Sequence, residues 1–195
     1  MLQFIAQIND KYSIAESVQM AIEGGCGWIQ LRLPDMTDSE IRQMSDDIIT
    51  MCREAGVFLT IEDRVEAARE LHIHGVHLNR LDRPAAELRE ELGAEAVIGV
   101  GVGDASSVIA LRNADIDYVS VDASMPLDQI KALISTVREA GVTIPVVVSG
   151  DIRPDDAQAF IEAGASGIAT GRYLIESRDP VEAVGKMLAV LKPAN

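Results

Sequence analysis

Short apolar segments alternate with longer amphipathic segments along the whole chain. The apolar segments are nearly continuous, which is typical of strands of a parallel sheet that are buried on both faces. Strands are predicted at 2–8, 28–33, 57–61, 75–78, 96–100, 118–121, 145–148 and 167–170. A parallel strand needs a crossover connection, and the segments between these strands are long enough to provide one.

The intervening segments have the spacing of apolar residues that predicts helices. Thr37 followed by Glu40 is a capping-box pattern, so a helix is expected to begin there, and Gly56 is expected to end it. Pro84 and Pro154 are expected to occupy first-turn positions of two later helices. Helices are predicted at 14–24, 37–55, up to about 71, from 84, and at 105–114, 127–140, 154–164 and 180–191, with a short turn at 171–175.

Eight strands and eight helices in strict alternation predict an α/β fold of the (βα)8, or TIM-barrel, type in a single compact domain over residues 1–195. A closed barrel is favoured over an open, doubly wound sheet because closure removes both sheet edges. The glycine run at 99–103 follows a strand but lacks the G-x-G-x-x-G spacing, which argues against dinucleotide binding.

Composition narrows the class of protein further. With 48% hydrophobic and only 4% aromatic residues, the core is expected to be aliphatic. A net charge of −14 repels nucleic acid and anionic membranes, so neither is expected as a partner. Cys26 and Cys52 have no metal-binding spacing, and no apolar run is long enough for a membrane helix. These features predict a cytoplasmic protein with reduced thiols.

Polar residues gather where the predicted strands end, which is the active face of such barrels. Gln30 and Arg32 close the second strand on alternate positions, so both side chains are expected to point inward. Glu62 and Asp63 close the third strand. The other polar residues at strand ends are His77 within the fourth strand and Asn79, Arg80 and Asp82 after it, Ser149, Asp151 and Arg153 after the seventh, and Thr170 at the end of the eighth with Arg172 after it.

Five arginines (Arg32, Arg64, Arg80, Arg153 and Arg172) lie near strand ends of this acidic chain, which predicts an anionic, phosphorylated small molecule as ligand. The loops after the seventh and eighth strands add a second indication. Gly150, Asp151, Gly171 and Arg172 are predicted to bind phosphate through backbone N–H groups and a helix N-terminus. The alternative is that the glycines only make tight turns.

The carboxylates at the same strand ends are candidate ligands for Mg²⁺. Glu62, Asp63 and Asp82 offer the oxygen ligands that this ion prefers, and acidic groups from successive strands are expected to converge. The alternative is a rim of ion pairs with Arg64 and Arg80.

Two inward-facing polar residues are open to more than one interpretation. His77 is expected to be a core histidine bonded to backbone, although contact with the substrate is kept as a possibility. Gln30, if buried, needs hydrogen-bond partners, so a structural position and a substrate contact are equally compatible with its position.

The sequence resembles the thiamine phosphate synthase family, including its thiazole tautomerase relatives, over nearly its whole length. The matching segments are IQLRLPD at 29–35, LTIEDRVEAA at 59–68, GVHLNRLD at 75–82, VIGVGVGD at 97–104, DYVSV at 117–121, VVVSGDI at 146–152 and GASGIATG at 164–171. The resemblance implies a (βα)8 barrel, usually a homodimer. It further implies a transferase that joins hydroxymethylpyrimidine pyrophosphate to thiazole phosphate and releases pyrophosphate with the help of Mg²⁺.

By position, the resemblance implies that Gln30 and Arg32 contact the pyrimidine and the pyrophosphate. It implies that Asp63 and Asp82 hold the metal. It further implies that Gly150 is the first glycine of the thiazole-phosphate loop.

Several positions depart from the family pattern, mostly on the pyrophosphate side. Pro34 stands where a lysine is expected, Glu62 where an asparagine is expected, and Arg80 where a glutamine is expected. The other departures are Gly101 for a serine, Asp151 for the second phosphate-loop glycine, and DASMPLD at 122–128 for a threonine-rich loop with a lysine. Arg64 or Arg80 is hypothesised to replace the missing lysines.

The first hypothesis is therefore a diverged thiamine phosphate synthase. One alternative is an isomerase of the thiazole tautomerase type, with His77 and Asp122 as the candidate proton carriers. The other alternative is a barrel that binds a phosphorylated metabolite without turning it over.

Overall fold

Eight parallel strands close into a barrel in the computed structural model, which describes residues 1–192. Each strand pairs with the next along the chain, and β8 pairs with β1 to complete the ring. The strands are β1 (Leu2–Ala6), β2 (Trp28–Leu31), β3 (Phe58–Glu62), β4 (Gly75–Leu78), β5 (Val97–Gly101), β6 (Tyr118–Asp122), β7 (Val146–Ser149) and β8 (Gly167–Thr170). The prediction of a closed (βα)8 barrel is confirmed, and the open sheet is wrong. One domain over 1–195 stays a prediction, since 193–195 lie outside the described residues.

Helices connect the strands and cover the outside of the barrel. They are α1 (Ile14–Glu23), α2 (Asp38–Ala55), α3 (Val65–Glu70), α4 (Ala85–Leu92), α5 (Ala105–Ala110), α6 (Leu127–Glu139), α7 (Pro154–Glu162), α8 (Arg172–Glu176) and α9 (Pro180–Val190). The described residues thus form nine helices instead of eight, because the predicted turn after β8 is the short helix α8.

Most helix and strand ends follow the local signals in the sequence. Thr37 is the N-cap of α2 and makes the reciprocal capping box with Glu40, while Gly56 ends the helix in the left-handed region at a φ of 65°. Pro84 lies one position earlier than expected, at the N-cap of α4. The first strand ends at Ala6, so the prediction that it reaches residue 8 is wrong.

The aliphatic core lies between the barrel and its helices, whereas the barrel interior is largely polar. One large cluster of buried aliphatic residues fills the first space, as the composition predicts. The second, smaller cluster inside the barrel consists of Ile5, Tyr118, Val147 and Ala169. Polar side chains also face the interior, and the buried ones among them are Gln3, Gln30, Thr60, His77 and Ser120. Thr170 is buried as well, but it faces outward with Ile168, because the interior residue of β8 is Ala169.

Tyr118, the first residue of β6, fills the centre of the barrel. Its side chain is 1% exposed and packs edge-on against the Trp28 ring, with 5.1 Å between the centroids. On the neighbouring strand, a Cβ atom at Gly99 would lie 2.1 Å from the Tyr118 ring, so a larger residue there would force the tyrosine to move. Since this level is filled, the free space inside the barrel lies toward the carboxyl ends of the strands.

Two further observations concern membrane-spanning helices and the two cysteines. No helix within residues 1–192 is long and apolar enough to cross a membrane. Cys26 and Cys52 are buried free thiols, and burial raises the pKa of both, that of Cys52 to about 11. Neither is therefore an activated nucleophile, which agrees with the expected core thiols.

Candidate active site

Two adjacent cavities open at the carboxyl ends of the strands. The first has a volume of about 370 Å³ and the second about 230 Å³. Arg32 and Gly150 line both cavities, so the two spaces share a wall. The other residues around the first are His77, Asn79, Gly101, Val102, Gly103, Ser120, Val121, Asp122 and Ser149, and those around the second are Ile5, Gln7, Asp151, Gly171 and Arg172.

The Glu62 carboxylate joins three neighbouring strands at this end of the barrel. Its Oε2 accepts hydrogen bonds from Gln30 Nε2 at 2.8 Å and from Arg32 Nε at 2.7 Å. Its Oε1 accepts a longer bond of 3.3 Å from Asn79 Nδ2. The side chain of Glu62 is only 12% exposed, so these donors satisfy a carboxylate that is mostly withdrawn from water.

Arg32 is held by one side of its guanidinium and leaves the other side unused. Only Nε takes part in the pair with Glu62, and neither Nη atom has a hydrogen-bond partner within residues 1–192. The residue is 31% exposed and lines both cavities. A planar pair of N–H donors that is fixed at its base and free at its tip is suited to phosphate or carboxylate oxygens.

Asp63 adopts an unusual backbone conformation directly after β3. Its φ is 50°, in the left-handed region that residues with a Cβ rarely adopt. Asn79 fixes its carboxylate through a backbone bond of 2.9 Å to Oδ1 and a side-chain bond of 2.6 Å to Oδ2, and the Asp63 N–H donates to His77 O at 2.9 Å. Backbone strain at a strand end with a fixed and exposed carboxylate is a common feature of functional sites.

The predicted convergence of three carboxylates does not occur. Residues 1–192 contain no group of three or more His, Cys, Asp or Glu side chains arranged to hold a metal ion. Glu62 instead binds Gln30 and Arg32, and Asp82 is exposed without a hydrogen bond to any described residue. Mg²⁺ usually binds through one or two carboxylates together with substrate phosphates, so the oriented Asp63 fits this ion as an anchor.

His77 lies inside the barrel and bonds to side chains, whereas backbone partners were predicted. Its Nδ1 is 3.0 Å from the Tyr118 hydroxyl and its Nε2 is 3.2 Å from Ser120 Oγ. Burial lowers the pKa of His77 to about 4, with smaller opposing and reinforcing contributions from Glu62 and Arg32. The imidazole is therefore neutral at neutral pH. His77 is buried as expected, but its ring bonds to side chains and not to backbone.

Asp122, the second candidate proton carrier, lies exposed at the edge of the first cavity. The Ser124 side chain and backbone hold the pKa of its carboxyl below the usual range, and Ser124 N donates to Oδ1 at 2.7 Å. A general acid or base works best when its pKa is close to the working pH. Neither His77 nor Asp122 meets that condition.

The amides of the predicted phosphate loop are largely occupied by the protein itself. Gly150 N donates to Ala169 O at 2.9 Å, and Ile152 N donates to Thr170 Oγ1 at 3.2 Å. The Asp151 carboxylate accepts the N–H of Tyr173 in the first turn of α8 at 3.1 Å. A carboxylate thus already occupies one donor that was expected to meet a phosphate.

Close packing leaves no room for a side chain at the two loop glycines, Gly150 and Gly171. A Cβ atom at Gly171 would lie 2.0 Å from Ile5 O, and one at Gly150 would lie 2.8 Å from Ala123 Cβ. Close packing therefore explains both glycines without a ligand. Arg172 is exposed beside the second cavity.

The two arginines that were hypothesised to replace the missing lysines differ in their contacts. Arg64 Nη2 donates to Pro34 O and Met36 O at 3.3 Å, and its Nε pairs with Asp38 at 3.5 Å. It is therefore committed to the loop before α2. Arg80 is exposed and has no ion pair or hydrogen bond with the described residues. The alternative of a rim of ion pairs from Arg64 and Arg80 to the strand-end carboxylates is wrong.

Sequence reasoning missed two contributors to the site and undervalued a third. Asn79 was noted only as a polar residue, although it orients Asp63. Tyr118 and Ser120 were not identified at all. Their alternate positions on β6 place both side chains inside the barrel, and that alternation was the available signal.

The closed barrel and the cavities at its carboxyl end define the class: a (βα)8 barrel with arginine-lined cavities at the carboxyl ends of its strands. Comparison with known proteins agrees with this class and refines it. The chain belongs to the family described as thiamine monophosphate synthase, whose sequence profile matches residues 2–174.

Individual relatives support the assignment over nearly the full length. The chain is 32% identical to a thiamine-phosphate synthase of Bacteroides fragilis, covering 97% of this chain and 98% of the relative. It is 34% identical to one of Bacillus velezensis, covering 87% and 80%. The thiamine phosphate pyrophosphorylase structure from Pyrococcus furiosus matches with a TM-score of 0.84 at 24% identity over 97% of this chain and 94% of that one, which supports the fold.

The resemblance read from the sequence is thereby confirmed, as is the expected class of enzyme, a transferase of the thiamine phosphate synthase type. The individual site residues and the metal stay predictions. So do the homodimer and the cytoplasmic location.

Replacing Glu62 by Gln is expected to lower the free energy of unfolding by about 1–3 kcal/mol, because several donors lose a charged and mostly buried acceptor. Urea unfolding of the purified variant measures this. Glu70→Gln is the matched control, since the Arg42–Glu70 pair has a similar distance of 2.6 Å but its Glu70 side chain is 43% exposed. That control is expected to change stability by less than about 0.5 kcal/mol. Equal effects of the two substitutions would contradict the central position given to Glu62.

Proposed function

We propose that this protein is a thiamine phosphate synthase, which joins hydroxymethylpyrimidine pyrophosphate to thiazole phosphate and releases pyrophosphate. The observation that supports this best is Arg32, whose Nε is held by Glu62 and whose Nη atoms are left free beside both cavities. The family assignment supplies the reaction, and the arginine supplies a donor where a leaving pyrophosphate needs one.

In this reaction the C–O bond between the pyrimidine methylene and the pyrophosphate breaks, and the thiazole nitrogen forms a bond to that methylene carbon. Negative charge increases on the departing oxygen, so donors held in place beforehand lower the barrier. The Nη atoms of Arg32 are the donors available for that oxygen. Glu62 keeps Arg32 in one orientation, so little reorganisation is needed when the charge appears.

The carboxylates after β3 and β4 are the proposed ligands of the metal ion. We place Mg²⁺ at Asp63, whose carboxylate Asn79 orients, with Asp82 as the second ligand suggested by the family resemblance. When bound, the ion would neutralise charge on the pyrophosphate and aid its departure.

The second cavity is the proposed place for the phosphate of the thiazole substrate. Gly150, Asp151, Gly171 and Arg172 surround it, and Arg172 is the cation among them. The negative charge of Asp151 opposes a phosphate there. In addition, the Asp151 carboxylate already accepts the Tyr173 N–H, so a phosphate that uses this donor must share it or displace the carboxylate.

The isomerase alternative receives less support from the site. It needs proton carriers with pKa values close to neutrality, whereas His77 is buried with a pKa of about 4 and Asp122 has a lowered pKa. No contact within residues 1–192 favours a binder without turnover, and the assay below separates it from an enzyme.

The test is formation of thiamine phosphate from both precursors by the purified protein, measured by chromatography with Mg²⁺ and after its removal with a chelator. We expect thiamine phosphate and pyrophosphate in equal amounts, with less product after chelation. Calorimetric binding of thiazole phosphate without any product would refute the synthase and favour a binder. Interconversion of thiazole phosphate tautomers without coupling would favour the isomerase.

Arg80 is the remaining candidate to replace a missing lysine, because it is exposed and unpaired within residues 1–192. Arg80→Ala is expected to weaken the binding of pyrophosphate with Mg²⁺ by about tenfold, since a hydrogen bond to a charged group contributes roughly 1.5 kcal/mol. Calorimetry measures the affinity. Arg53→Ala, which removes the same charge from an exposed position at the end of α2, is the control and is expected to have little effect. Unchanged affinity in Arg80→Ala would exclude the replacement.

Asp151→Asn keeps an oxygen for the Tyr173 N–H but removes the charge near the proposed phosphate. We expect thiazole phosphate to bind about fivefold more tightly, because like charges a few ångströms apart in water repel by roughly 1 kcal/mol. Asp155→Asn, in the first turn of α7, removes an equal charge away from the second cavity and serves as the control. Weaker or unchanged binding in Asp151→Asn alone would mean that the phosphate lies elsewhere.

A further inference from the structure

A chain of hydrogen bonds inside the barrel runs from Gln3 through Tyr118 and His77 to Ser120. The proposed chemistry uses none of these residues, yet all four are buried. The chain ends at the first cavity, because Ser120 Oγ is its last member and Ser120 lines that space. The direction of each bond decides what the serine hydroxyl offers to a ligand.

The direction follows from counting protons along the chain. Gln3 Nε2 donates to the Tyr118 hydroxyl oxygen at 3.1 Å, so the single hydroxyl proton of Tyr118 is free to donate elsewhere. Its other partner is His77 Nδ1 at 3.0 Å. Nδ1 therefore accepts a hydrogen bond from the Tyr118 hydroxyl and is itself unprotonated.

Because Nδ1 accepts the Tyr118 hydroxyl, the imidazole carries its proton on Nε2. Nε2 is 3.2 Å from Ser120 Oγ, so His77 donates and the serine oxygen accepts. Ser120 Oγ has no other hydrogen-bond partner within residues 1–192. Its own O–H is consequently left to point away from His77, and the adjoining free space is the first cavity.

We propose that Ser120 is a specificity-determining residue whose hydroxyl donates a hydrogen bond to a ring nitrogen of the pyrimidine substrate, in the direction that Tyr118 and His77 impose on it. The choice of ring rests on the proposed function. Gly101, Val102 and Val121 line the first cavity together with Ser120, and so does Asp122, which follows Ser120 by two positions on β6 and therefore faces the same side. The Asp122 carboxylate would repel a pyrophosphate placed beside Ser120, whereas a heteroaromatic nitrogen is uncharged and needs only one donor.

The first arm of the test measures the proton position without any ligand. Two-dimensional ¹H–¹⁵N NMR of the histidine rings distinguishes the two neutral tautomers, and His77→Gln assigns the signals. We expect His77 to carry its proton on Nε2. The opposite tautomer would overturn the proposal, because Ser120 would then donate to His77 and have no proton left for a ligand.

The second arm measures binding and turnover in Ser120→Ala. We expect hydroxymethylpyrimidine, which lacks the pyrophosphate, to bind about tenfold more weakly by calorimetry, while inorganic pyrophosphate with Mg²⁺ binds as before. In the synthase reaction, KM for the pyrimidine substrate is expected to rise with little change in kcat, the signature of a contact made equally in ground and transition state. Ser120→Thr keeps the hydroxyl and is expected to restore most of the affinity.

Ser45→Ala is the control for loss of a buried hydroxyl, since Ser45 is fully buried in α2, its hydroxyl donates to the Ile41 carbonyl, and it lines neither of the two cavities. It is expected to leave both affinities unchanged. Wild-type affinity for the pyrimidine in Ser120→Ala, an equal loss for pyrophosphate, or no binding of the pyrimidine to the unmodified protein would each overturn the inference.

The outcomes separate this inference from the proposed function. If the unmodified protein makes thiamine phosphate and Ser120→Ala retains its pyrimidine affinity, only the inference fails. If the pyrimidine binds in a Ser120-dependent way but no product forms, only the synthase fails.

Discussion

The site depends on one carboxylate, that of Glu62 on β3, which accepts hydrogen bonds from donors at the ends of the two flanking strands. Gln30 and Arg32 reach it from the end of β2, and Asn79 reaches it from the residue after β4. Because a mostly buried carboxylate is stable only when such donors surround it, each side chain is held in one orientation. Arg32 consequently presents its free donors to the cavities, and Asn79 is positioned to fix Asp63.

Charge is distributed unevenly between the interior of the barrel and its open end. Inside, Gln3, Tyr118, His77 and Ser120 form a neutral hydrogen-bonded chain, and the low pKa of His77 keeps it uncharged. The charged groups of the site lie at the strand ends, where Arg32 and Asp63 are open to water and ligand. This separation suits a substrate with an uncharged ring at one end and a pyrophosphate at the other.

The fold was predictable from sequence because it depends on local patterns that repeat along the chain. Buried strands, caps such as Thr37, and the alternation of Gln30 and Arg32 each reflect rules that act over a few residues. The partner chosen by a charged side chain depends on distant segments. Arg64 donates to the loop at Pro34, and Asp151 accepts from the first turn of α8. The spacing of residues along the sequence could not predict either contact. The inward position of Ser120 was visible in the sequence, but its bond to His77 was not.

The most direct test is a crystal structure of the protein with pyrophosphate and Mg²⁺. The account predicts that the Nη atoms of Arg32 contact the pyrophosphate while Nε stays paired with Glu62, and that the metal binds the Asp63 carboxylate. A pyrophosphate bound away from Arg32, or an Arg32 side chain released from Glu62 in the complex, would contradict it.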